Sequence, residues 1–237
     1  MNNMVLTLSL VDLALSFLPV LVVLIILWHW SLQYRNAIYA VFRMLVQLML
    51  IGYLLTYIFK SDSAPIVVIV IAVMIFASSW IALGIAGNRR NRLYLNALIS
   101  IGAGGGITLI LVTEGVLNLE PWYLPQYMIP LAGMIFANAM NSVSLSAERL
   151  LAEISKHNDY EPARNTAFHA SLIPNINSLF AVGLVSLPGM MTGQILSGVD
   201  PLIAARYQIM VMCMIFGSAG ISTALFLTLV RSSMMDK

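Results

Sequence analysis

Met134, Asn138 and Asn141 stand at i, i+4 and i+7, one face of a helix, inside an otherwise apolar run. Ser171, Asn175 and Ser178 share a second such face beside Pro174, which has no N–H and leaves the Ala170 carbonyl without its helical donor. Amide and hydroxyl oxygens are the donors that hard cations prefer. Buried in hydrocarbon they are costly unless every group is paired. Two readings fit. One is a hydrophilic path past Asn138, Asn141, Asn175 and Ser178, with Met134 and Met190 as softer contacts at its ends. The other is interhelical hydrogen bonding, worth about 0.6 kcal/mol per bond. Arg43 and Gln47, one turn apart in an apolar segment, form a further candidate for the path. Arg43 lies near the end of its segment and could equally snorkel to water.

Other patterns carry less. Met210, Cys213 and Met214 form a soft-ligand patch at helical spacing, and Met190-Met191 a second. Thioether and thiolate suit soft metals, but methionine also fills gaps in cores, so the metal remains unassigned. Gly102-Ala-Gly-Gly-Gly106 follows no strand and reads as close helix packing, not as a phosphate loop. Gly217-Ser-Ala-Gly220 resembles an intramembrane serine protease motif, but its order is wrong and its would-be base, His169, starts another span. No catalytic residue is expected. Arg89, Arg90 and Arg92 are expected to fix topology and to touch anionic lipid heads.

The elements that must position these residues follow from composition. Of 237 residues, 60% are apolar and only 9% are charged, against about 25% charged in a soluble domain. Such a chain cannot cover its surface in water, and the surplus faces lipid. Twelve Lys and Arg against ten Asp and Glu leave +2, too little for a nucleic-acid face. The single Cys213 excludes a disulfide scaffold, and no P-loop is present. Seven runs are long enough to span: Leu6–Trp28, Ala37–Phe59, Pro65–Ala86, Leu95–Leu117, Gln126–Ala147, Thr166–Leu187 and Leu202–Val230. They are too long for barrel strands. The expected fold is an all-α integral membrane protein, one transmembrane permease domain over residues 1–237, multi-pass in the cell membrane.

Positive charge sets the orientation. With the N-terminus outside, and Arg43 and Arg206 set aside because they lie within or at the edge of spans, Arg35, Arg89, Arg90, Arg92, Arg149, Lys156, Arg164, Arg231 and Lys237 fall inside and only Lys60 outside. Seven spans then put the C-terminus in the cytoplasm. The one long hydrophilic stretch, Glu148–Asn165, is cytoplasmic. Its Leu150, Leu151 and Ile154 make an apolar stripe that continues the fifth span as an amphipathic helix, broken at Asn158–Pro162.

The runs Ala170-Ser-Leu-Ile-Pro174 and Val182-Gly-Leu-Val-Ser-Leu-Pro-Gly-Met-Met-Thr-Gly193 closely resemble the FetB family of ABC-transporter permeases. Asp200-Pro201 with Arg206-Tyr-Gln-Ile-Met-Val211, and Ile129-Pro-Leu-Ala-Gly-Met134 with Asn138-Ala-Met140, extend the resemblance over nearly the whole chain. The family includes bacterial iron-export permeases and plant aluminium-tolerance relatives. The resemblance implies a seven-span subunit that pairs with itself and with a separate P-loop ATPase, which would hold the ATP and Mg while this chain holds no cofactor. It implies iron export by alternating access, with force entering through Arg149, Leu150, Leu151, Ile154, Lys156 and Arg164. At one place the chain departs from the family: a longer cytoplasmic loop is reduced here to Asp159-Tyr-Glu-Pro-Ala163. A stand-alone secondary carrier or channel is the alternative to an ABC permease, and an intramembrane protease a remote one.

Overall fold

The computed structural model describes residues 9–59, 63–157 and 159–235, and all their side chains except those at 156, 157 and 233–235. Asn158 and the Lys156 side chain therefore lie outside the described residues, as do Lys60, Asp62 and Lys237. Every regular element among the described residues is helical. Six segments among them are long and apolar enough to cross a membrane: Leu10–His29, Tyr34–Ile58, Ala64–Ala82, Gly84–Val116, Pro125–Ser155 and Pro201–Ser232. The chain divides into two compact units, Met1–Ser61 and Asp62–Lys237.

In the first unit the leading apolar run is two helices, α1 (Leu10–Leu15) and α2 (Leu18–His29), where a single helix is expected from hydropathy alone. Ser9 and Asp12 form a reciprocal cap at the start of α1. Pro19 lies in the first turn of α2, where its missing N–H is harmless and its ring stops α1 from continuing. Ser31, with φ of 56°, turns the chain into α3 (Tyr34–Ile58), which packs on α2.

The second unit begins with α4 (Ala64–Ala82), with Pro65 in its first turn. A 3₁₀ turn over Gly84–Arg89 follows, reversing at Gly87, whose φ of 52° favours glycine. Arg90 closes this turn. Its Nε donates to the Trp80 carbonyl at 3.1 Å, and its guanidinium lies 3.7 Å from the Trp80 ring centre. An arginine expected only to set topology thus also caps the last turn of α4. α5 (Arg90–Ile110) runs into a π-helical stretch, Leu111–Val116. α6 (Pro125–His157) is unbroken, so the fifth span does continue as the expected amphipathic extension. α7 (Tyr160–Ala181) stops at Ala181, short of the expected Leu187, because Val182 is extended and Gly183 has φ of 82°. The short α8 (Gly189–Leu196) and the long α9 (Pro201–Met235) complete the chain.

Phe136, Phe226, Leu93, Ile101 and Ile135 form the centre of this unit, where α5, α6 and α9 pack on one another. The glycine run of α5 makes that approach close. A Cβ on Gly104 would stand 2.5 Å from Ser222 Oγ and 2.8 Å from Ser222 N, and one on Gly105 would stand 2.6 Å from the Phe136 ring. The reading of Gly102–Gly106 as a packing seam holds at these two positions.

Candidate functional site

α6, α7 and α9 pack pairwise, yet they do not close completely. Between them lies a chamber of about 220 Å³, lined by Asn138 of α6, Asn175 and Ser178 of α7, Ser186 of the following loop, and Met212 and Ile215 of α9. Three of the four polar residues expected on a hydrophilic path therefore meet in one place. Asn175 is buried, and its Nδ2 donates to Ser142 Oγ at 2.9 Å. Asn138 Nδ2 donates back to the Met134 carbonyl at 2.8 Å. With both amide nitrogens so engaged, neither side-chain carbonyl oxygen takes a hydrogen bond among the described residues. Those oxygens are acceptors suited to water or a cation.

Asn141 is exposed and does not line the chamber. The residue that sequence reasoning missed is Ser142, one position on and at i+4 from Asn138; its face is decided by where α7 lies. Met134 and Met190 are partly buried, pack against the core and are not among the residues that line the chamber. Ser171 is fully buried, with its hydroxyl donated to the Phe168 carbonyl. Arg43 and Gln47 sit one turn apart on α3 of the first unit, and both are exposed there. Ser218 donates to the Ile215 carbonyl and is buried, while His169 is exposed, so the two form no hydrogen-bonded pair among the described residues.

The loop from Val182 to Pro188 forms one wall of the chamber. The amides of Leu184, Val185 and Ser186 all point at the Ala181 carbonyl, and Gly183 N donates to the Ser186 carbonyl at 3.0 Å. Breaking a helix within lipid frees backbone groups that must be paired internally. This knot does so, and it needs glycine at 183. The Leu184 and Val185 side chains stay 90% and 84% exposed, as suits a lipid- or protein-covered tip.

At the far end of α6 the apolar stripe expected to meet a partner is turned inward. Leu150 is fully buried, and Leu151 and Ile154 pack against the core. Leu150 therefore cannot be a docking contact; the helix bears its apolar face because α6 continues against its own bundle. Arg149 pairs with Glu153 at 2.8 Å, and Arg164 donates to Asn165 Oδ1 at 3.0 Å beside a cavity of about 250 Å³. Tyr160 is buried, donates its hydroxyl to the Leu227 carbonyl, and has the Arg231 guanidinium 5.9 Å from its ring. Burial pushes the Tyr160 phenol up, which keeps it a donor.

Six long apolar helical segments among the described residues, two of which (those of α6 and α9) enclose an amide-lined chamber together with α7, define a multi-pass membrane protein. The chain belongs to the UPF0014 family of membrane proteins. The family described as "Uncharacterised protein family (UPF0014)" matches residues 10–161 and 157–235, two matches that overlap over 157–161. The chain is 38% identical to the UPF0014 membrane protein slr1647 of Synechocystis over 196 residues, 76% of each chain. It is 34% identical over 233 residues to the "Probable iron export permease protein FetB" of Escherichia coli, covering 90% of this chain and 86% of the relative. It is 33% identical over 226 residues to the protein ALUMINUM SENSITIVE 3 of Arabidopsis thaliana, covering 89% and 81%. No solved structure matches it.

Proposed function

We propose that this chain is the membrane-spanning permease subunit of an ABC transporter, a homodimer served by two P-loop ATPase subunits, exporting a metal cation, iron first among them, by ATP-driven alternating access. The observation that carries this reading is the chamber between α6, α7 and α9, where the oxygens of Asn138, Asn175 and Ser178 offer the donors a hard cation takes in place of water. The relative named as an iron export permease supports the substrate. Arg149, Arg164 and the basic turn at Arg89–Arg92 supply the charge for an acidic ATPase surface. In this reading α7 is the seventh span, and two of its polar residues, Asn175 and Ser178, face the chamber.

Inverted vesicles holding the chain and its P-loop ATPase should accumulate iron only with ATP, and an ATPase lacking its Walker Lys should abolish uptake. Iron movement without any ATPase would make the chain a stand-alone carrier or channel. The span count has its own test. Ser155→Cys and Ser197→Cys flank α7, so labelling from opposite sides counts α7 as a span, with Ser197 outside and the N-terminus outside. Labelling of both from one side leaves six.

A further inference from the structure

A second cavity, of about 360 Å³, adjoins the amide chamber and shares Val182 and Met212 with it. Its chemistry is different. Met191 of α8 and Met212 and Cys213 of α9 line it, together with Gln208. Gln208 is only 6% exposed, and its Oε1 has no hydrogen-bond partner among the described residues. An unpaired amide oxygen in an apolar site calls for a donor or a cation, and a lipid chain supplies neither. Gln208 and Met212 are one turn apart on α9, with Cys213 next in sequence, while Met191 comes from the neighbouring helix. Two thioethers, a free thiol and an orphaned amide oxygen thus share one cavity.

We propose that this cavity binds a soft monovalent d¹⁰ cation of the Cu(I) class. Sulfur ligands select such ions over iron, magnesium or calcium, which favour oxygen. Charge selects the valence. Binding exchanges the Cys213 S–H proton for an S–metal bond, with the proton released to solvent and no change of oxidation state. A monovalent ion on one thiolate is neutral overall, whereas a divalent ion leaves a net charge in an apolar site. The proposal stands on this cavity and does not need the ATP-driven reading. The soft patches expected from spacing, Met210 with Cys213 and Met214, and Met190 with Met191, are re-sorted here: Met214 is buried in the core, and Met212 takes its place beside Cys213.

The test uses the full chain in nanodiscs without any ATPase, and Ag(I) as a redox-inert probe. Cys213 is the only cysteine, so its alkylation by a maleimide reports occupancy. One equivalent of Ag(I) should protect Cys213, while Fe(II) and Mg(II) should not. Met191→Leu with Met212→Leu should weaken Ag(I) binding about tenfold or more, with labelling in the absence of metal unchanged. Equal affinity in the double variant would show a thiol acting alone and overturn the site, as would equal protection by Fe(II). X-ray absorption of the Ag(I)-loaded wild type keeps the test independent of the variants' folding. Two or three sulfur neighbours support the site, and one sulfur neighbour overturns it. Loss of iron transport with silver binding intact would instead count against the proposed function alone.

Discussion

The α5–α9 crossing and the α6–α7 crossing are both built from small or polar residues set in apolar helices, and they end in opposite states. At the first, Gly104 meets the backbone of Ser222 with no room for a single carbon, and the seam is shut. At the second, Asn138, Ser142 and Asn175 meet through side chains, and a chamber of about 220 Å³ remains. Glycine removes the side chain and lets backbones touch, where dispersion does the holding. An amide keeps helices apart by its own bulk and demands partners, which water or an ion can supply. In a membrane protein the two crossings differ in hydrogen-bonding demand more than in polarity as such.

Four substitutions and one control break or sharpen this contrast. The largest effect is expected from Gly104→Leu, since the atoms in its way are α9 backbone and cannot step aside. A loss of about 3 kcal/mol is expected, read as a lowered Tm in detergent. The control is Gly106→Leu, where nothing lies within 4 Å of the missing Cβ; it should leave Tm nearly unchanged. Equal behaviour of the two would show that the seam is not tight.

Next comes Asn175→Leu, which fills the chamber with hydrocarbon and takes the donor from Ser142. Transport should fall about tenfold, equivalent to ~1.4 kcal/mol at the barrier, with expression and ATPase binding kept. Unimpaired transport would reduce the chamber to packing. Ser142→Ala is subtler because it reports water. If the chamber is wet, the Asn175 amide finds another partner and the loss stays below about 0.5 kcal/mol; a dry chamber costs about 1–3 kcal/mol. We expect the smaller loss, measured by chemical denaturation. Ser222→Ala should do least. Its hydroxyl is buried without a hydrogen-bond partner among the described residues, so removing it breaks no bond and stability should not fall.

Much of the frame is legible in the amino-acid sequence. Apolar runs such as Ala37–Phe59 forecast α3 (Tyr34–Ile58) within a turn at each end, because lipid exposure demands length and apolarity whatever the neighbours are. The amphipathic continuation of α6 is equally legible from its 3.6-residue pattern. What fails is the choice between adjacent faces. Asn141 at i+3 and Ser142 at i+4 from Asn138 straddle the same stripe, and only the position of α7 decides for Ser142. The Leu150 stripe announces a buried face without saying what buries it, and the bundle itself does. The π-helical stretch at Leu111–Val116 is invisible to periodicity, since one displaced hydrogen bond leaves the composition unaltered. Gln208 looks like one more polar residue until the cavity beside it is seen.

The Tyr160 hydroxyl on the Leu227 carbonyl has a mechanical consequence. It pins the first turn of α7 to the far end of α9, so two of the helices that wall the amide chamber are tied together at one end. In the proposed transporter this tie would make α7 and α9 move together, and cutting it with Tyr160→Phe should uncouple them, read as ATP hydrolysis by the partner that continues while transport falls.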